Sequence, residues 1–171
     1  MDETTDFWMV SEDAADMYLT FQIQDTEYAV NIVYVTEIIS LPKISGMPDV
    51  PPFIKGVINL RGRVIPLMDV RLRFGLPPTV YNERTPVIVL EKNKVPTGLV
   101  VDQVNEVVEI PADQVDPPPR WGEGGKGGVI QGLGKRAEGV SIILDVERLL
   151  YDREINMPSP EALAEAAASV T

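Results

Sequence analysis

The chain reads as a mainly β protein made of two small barrels, and three observations lead there. Short apolar segments of strand length recur along it, separated by clusters of Gly, Pro, Asn and Asp. An apolar strand pattern that ends in Asp and runs into a short helical pattern occurs twice, at Asp69 and at Asp145. The segments of the first half return in the same order in the second, about 70 residues later, a period too long for a solenoid repeat.

In chain order, Tyr18–Ile23 alternates with period two: Tyr18, Thr20 and Gln22 on one face, Leu19, Phe21 and Ile23 on the other. Glu27–Asn31, Gly56–Leu60 and Val64–Met68 follow. Pro66 lies inside the last of these and argues for an edge or a bulge, because it donates no ladder hydrogen bond. The second half gives Pro86–Glu91, Thr97–Val101, Glu106–Ile110, Val129–Ile130 and Val140–Leu144. Asp69–Gly75 and Asp145–Tyr151 each begin with a capping Asp and read as one or two helical turns. Ile32, Val35 and Ile39 fall at helical spacing, a stripe that reads as core.

Val64–Val70 aligns with Val140–Val146 at an offset of 76, and Gly56–Ile58 with Gly128–Ile130 at 72. Ala29–Ile38 aligns with Gly98–Val107 at 69. The first repeat therefore spans about 17–76 and the second about 86–151, with Pro77–Pro86 as the seam. Two copies of a small β unit suit two barrels, since closure removes exposed strand edges. The Gly-rich run from Asp116 to Gly128 is expected to be a mobile loop.

Composition excludes several functions. There is no Cys and no His, which removes disulfides, thiolate metal sites, cysteine nucleophiles and the usual neutral-pH base. Net charge is −11, but residues 1–16 hold six acids and no base, while residues 17–155 hold 18 acids against 15 bases. The acidity belongs largely to the tails. A body without a Lys/Arg stripe lacks the footprint of a nucleic-acid binder. No run approaches a membrane span and the first residues lack signal-peptide character, so a cytoplasmic protein without membrane insertion is expected.

Local motifs carry little chemistry. Gly124–Gly128 lacks the spacing and following helix of a phosphate loop. Pro117–Pro119 reads as a rigid spacer. Asp69 and Asp145 occupy matching repeat positions at strand-to-helix junctions, where capping accounts for both. No catalytic residue, cofactor or metal is therefore expected. The tails, an acidic 1–16 and an Ala-rich 156–171, lie outside the duplication. Deleting 1–14 and 159–171 is expected to leave the thermal midpoint within a few degrees, measured by circular dichroism; aggregation would contradict it.

Arg61-Gly62-Arg63 is different. Two strand patterns flank it, so it presents guanidinium groups at a hairpin turn, where Gly62 supplies a positive φ. Solvated arginines at a turn are ordinary; a bidentate contact with a partner's carboxylate is the sharper reading. Here the string Phe53-Ile-Lys-Gly-Val-Ile-Asn-Leu-Arg-Gly62, followed by Val64-Ile-Pro-Leu-Met-Asp-Val-Arg-Leu-Arg-Phe74, closely resembles the signature of the CheW family of chemotaxis coupling proteins. The resemblance extends over roughly 17–151 and takes in Tyr28–Ile38 and Leu99–Val104.

The resemblance implies two SH3-like five-stranded barrels with a groove between them, strands possibly exchanged, in one domain over 17–155. It implies a non-catalytic scaffold joining the cytoplasmic tips of methyl-accepting receptors to the regulatory domain of the histidine kinase CheA, in steering or in a related pathway of twitching motility or development. Carried over by position, Val35, Glu37, Ile38, Gly56 and Arg61 are the expected receptor contacts, with Val104 added as the repeat counterpart of Val35.

Overall fold

The computed structural model describes residues 15–118 and 128–151. The expectations for residues 1–14, for the C-terminal tail and for most of the Gly-rich loop fall outside the described residues. Ala15 and Asp16, placed in the first tail, are tied to the body by accepting from the Asn31 side-chain amide and the Ile110 N–H, each over 2.8 Å. Among the described residues eleven strands form two sheets. They are β1 (Met17–Ile23), β2 (Thr26–Asn31), β3 (Val35–Ser40), β4 (Ile54–Leu60), β5 (Arg63–Asp69), β6 (Pro86–Lys92), β7 (Val95–Val100), β8 (Gln103–Glu109), β9 (Val115–Asp116), β10 (Ile130–Arg136) and β11 (Gly139–Leu144). Two short helices, α1 (Val70–Arg73) and α2 (Val146–Tyr151), follow β5 and β11.

The first sheet runs β3-β6-β7-β5-β4 and the second β8-β1-β2-β11-β10-β9. Under the repeat correspondence these are one pattern. β3 answers to β8, the β6–β7 hairpin to β1–β2, β5 to β11 and β4 to β10. Each sheet therefore takes its opening hairpin from the other half of the chain. The parallel pairs match too: β5 with β7 (Leu67 opposite Gly98) and β11 with β2 (Ile142 opposite Tyr28).

Each sheet closes. After β3 the chain returns so that Ser45 bridges Val57 of β4, with amide–carbonyl distances of 2.9 and 2.8 Å. After β8 it returns as β9, pairing Val115 with Gly134 and Asp116 with Leu133 of β10. The sixth strand of the second sheet is thus the longer version of the closure in the first, and both barrels keep a five-stranded plan.

The structure corrects the repeat register. Leu60 pairs with Arg63 as Arg136 does with Gly139, and both hairpins shift register at the equivalent place, Ile54/Gly56 and Ile130/Gly132. Gly56 therefore corresponds to Gly132, an offset of 76, and not to Gly128. The offset changes once, from 69 to 76, in the stretch that precedes β4 and β10. The Gln131–Arg136 part of β10 carries two Gly, a Lys and an Arg, residues of weak strand propensity, and only the pairing with β9 and β11 makes it a strand. Pro66 also differs from expectation, because β5 is an interior strand. Proline is tolerated where the β7 ladder has not begun: Pro66 faces Val57 of β4, and pairing with β7 starts at Leu67.

Burial on two sides explains the continuous apolar run of β6. Val87 and Val89 point into the first barrel with Ile58, Ile65, Leu67 and Val100. Ile88 and Leu90 point the other way, into a larger core with Leu19, Phe21, Leu99, Leu144 and Leu149. That core draws on both sheets and both helices, so the barrels share one interior. A smaller cluster of Ala29, Ile110 and Ile143 fills the second barrel. The stripe Ile32, Val35 and Ile39 is core or packs against it, but on a single 3₁₀ turn (Ile32–Tyr34) and β3 rather than on a helix.

Both acidic caps form. Leu72 donates to the Asp69 carboxylate over 3.1 Å, and Arg148 donates its backbone N–H to Asp145 over 3.1 Å. Asp69 is buried, and its second oxygen accepts from the Tyr81 hydroxyl in the seam. Burial first, then that hydrogen bond, raises the Tyr81 pKa. Arg73 of α1 donates to the carbonyls of Leu149 and Arg148 in the last turn of α2, over 3.2 and 3.1 Å, satisfying acceptors that a helix end leaves open.

Where the chain crosses between barrels, Asp102 receives Arg71 Nε and Nη2 at 2.8 and 2.7 Å and the Gln24 N–H at 2.7 Å. Burial opposes the charged form, but the Arg71 and Gln24 hydrogen bonds and the guanidinium charge outweigh it and hold the Asp102 carboxyl below its usual pKa. Its contribution is therefore full above the unfolded pKa of about 3.9 and lost as pH falls through the lower folded value. The Asp102→Asn variant is expected to lose less stability than the parent protein on acidification below about pH 4. Urea midpoints taken across that range check this, and parallel curves would contradict it.

Candidate functional site

The β4–β5 hairpin is a two-residue turn, Arg61-Gly62, closed by the Leu60–Arg63 pair. Both residues have positive φ, 52° and 88°. This is the twist that two-residue hairpins require, normally met by Asn-Gly or Gly-Gly. Asn59 steadies the turn by accepting the Gly62 N–H over 2.9 Å. An arginine in the left-handed region is held there against its backbone preference. Its side chain is 69% exposed, so core packing does not account for it.

Arg61 donates to the Glu37 carboxylate on β3. Strands β3 and β4 bound the first sheet, and barrel closure is what lets these two side chains meet. Glu37, 28% exposed, raises the Arg61 pKa through that hydrogen bond and its charge. A second pair, Arg63 with Glu91 at 3.6 Å, stands across the same barrel mouth. Together with Thr36, Leu60 and Ile65 these residues line a recess of about 270 Å³. Ile38, next to Glu37 in sequence, is 47% exposed although apolar. An arginine fork beside a carboxylate suits a protein surface that presents an acidic group.

The structure separates the six expected contact residues. Glu37 and Arg61 touch; Ile38 is exposed on the opposite face of β3, the side to which its ladder partner Ile88 points. Val35 is only 8% exposed and belongs to the shared core, against which Val104 also packs. Gly56 is buried at the closure with φ +139°, and a Cβ there would stand 2.1 Å from the Ser45 carbonyl oxygen. These three shape the barrels and offer a partner little side-chain surface.

Two residues escaped the sequence reading. Val107 and Glu106 are the counterparts of Ile38 and Glu37 at the offset of 69, and that offset was the available signal. Val107 is 39% exposed, and Glu106 faces Arg136 at 3.6 Å, as Glu37 faces Arg61. In the second mouth Arg136 also pairs with Glu27 at 3.2 Å, and the buried Ser141 hydroxyl donates to the same carboxylate. The surrounding recess measures about 620 Å³, with Asp25 and Glu138 on its lining. Among the described residues no group of three or more acidic side chains is placed to hold a metal ion.

A family model of the CheW-like domain matches residues 17–154, the whole two-barrel body. The chain belongs to the CheW family. It is 34% identical over 147 residues to the chemotaxis protein CheW of Klebsiella aerogenes, covering 86% of this chain and 89% of that one. It is 33% identical to chemotaxis protein CheW of Helicobacter pylori, covering 78% and 80%. Among solved structures, the scaffolding protein TtCheW of Thermoanaerobacter tengcongensis superposes with a TM-score of 0.73 at 29% identity, over 81% of this chain and 94% of that one. CheW-family proteins are adaptors rather than enzymes, and this chain is a non-catalytic member. No helix among the described residues is long and apolar enough to cross a membrane.

Proposed function

We propose that the protein is a chemotaxis scaffold that couples methyl-accepting receptors to the histidine kinase CheA, working in the cytoplasm and recruited to membrane-bound receptor arrays. One observation carries the receptor side of this reading. Arg61 is held in an unfavourable backbone region at an exposed turn and paired with Glu37. A hairpin serving only the fold would gain from Asn or Gly at that position.

On this reading Glu37, Ile38 and Arg61 contact the receptor's helical tip directly. Val35, Gly56 and Val104 act by fixing the barrels that carry them. The kinase's regulatory domain, a homologue of this fold, meets the scaffold through barrel ends. Many such contacts in an array give avidity without any single tight interface. Affinity purification of the tagged protein from cell extract, followed by mass spectrometry, tests it. Co-purification of both a methyl-accepting receptor and a CheA-type kinase is expected; recovery of neither removes the reading.

A further inference from the structure

We propose that the chain is a pair of complementary half-molecules, residues 15–79 and 80–151, whose missing half a second copy of the chain can supply.

The topology carries this. Four ladders join the halves: β1 with β8, β2 with β11, β3 with β6 and β5 with β7. The shared core is likewise assembled from both, with Leu19, Phe21 and Met68 from one side and Ile88, Leu99 and Leu144 from the other. Neither barrel contains a complete set of strands from one half. Yet the covalent link between the halves is a single exposed segment, Pro77–Thr85, where Val80 is 90% exposed. The link is tied down at few points, chiefly Tyr81 to Asp69 and the Thr85 carbonyl to the Leu41 amide at 2.9 Å.

If that segment swings outward, the first half of one copy meets the second half of another through every ladder of the monomer. The exchanged dimer then differs from two monomers mainly in linker path and in concentration dependence. A short flexible tether supplies an effective concentration in the millimolar range, so the closed monomer prevails below it and exchange competes near it. Such a dimer keeps four intact barrel mouths on one particle.

The test inserts a protease site between Thr79 and Val80 of the full chain, with a second variant carrying it between Pro78 and Thr79. Cutting the folded monomer is expected to leave both fragments co-eluting at the uncut volume, with a thermal midpoint that now rises with protein concentration. Refolding the uncut protein near 1 mM is expected to give a dimer, by the tether argument. Cutting that dimer should return it to monomer size, because the linkers alone bridge the two bodies. Fragments that separate or aggregate under native conditions overturn the proposal. So does a failure to dimerise on refolding, or a dimer that survives cutting and is therefore held by surface contacts.

Discussion

Replacing Gly56 with alanine is expected to destabilise the protein by about 2–4 kcal/mol, combining backbone strain with an overlap that rigid backbone cannot relieve. The new Cβ would stand 2.1 Å from the Ser45 oxygen and 2.8 Å from its carbonyl carbon, at a φ of +139°. The atoms it meets are those of the bridge that closes the first barrel, so the chain must either break that bridge or distort β4. Gly62→Ala is the internal comparison: φ is also positive, 88°, but nothing lies within 4 Å of the added carbon. It should cost about 1 kcal/mol, the left-handed penalty alone. Urea denaturation of both variants separates the two causes. Equal losses would mean that the closure is soft and that Gly56 matters only for its backbone angle. Receptor binding by Gly56→Ala should fall only in step with the folded fraction, as for a residue that acts through shape.

Arg61→Ala should do the reverse. Its side chain is mostly exposed and its one strong partner, Glu37, is partly solvated, so the urea midpoint should stay close to the parent's. Receptor affinity, measured on a variant shown to be folded, should drop roughly ten- to a hundredfold if the guanidinium makes a charge-assisted fork with the receptor. Lysine should restore part of this, because it keeps the charge and loses the planar fork. Asn at the same position should raise the midpoint, since it accepts the left-handed conformation, while leaving binding weak. Separate measurement against receptor and kinase makes the result specific. Unchanged receptor affinity would return Arg61 to an ordinary solvated turn, and equal loss toward both partners would point to a structural part for the Glu37 pair.

The sequence by itself determined most element types and their repetition, but not strands β3 and β9, the first of which it read as part of a stripe at helical spacing. Alternation in Tyr18–Ile23, the β6 run, the capping aspartates and the Arg61-Gly62 turn are local patterns, written in neighbouring residues and readable without a partner strand. The string around Phe53–Phe74 identified the family for the same reason. Tertiary structure alone decided what depends on residues far apart. β10 is a strand because β9 and β11 flank it, although its own Gly-Leu-Gly-Lys core argues against one. The register of the repeat was legible only from paired bulges, since a Gly-Val-Ile match four residues away looks better in one dimension. Pairing also decided the exchange of hairpins between barrels, because repeat-equivalent apolar strands fit either sheet until the crossovers are drawn. For the candidate site, the Arg61-Gly62 turn was legible in the chain, while Glu37 and Ile38 came by position from the family resemblance. The division of these residues from Val35, Gly56 and Val104 was not legible: exposure is set by what the barrel folds against, and closure alone brings Glu37 to Arg61 across 24 residues of sequence.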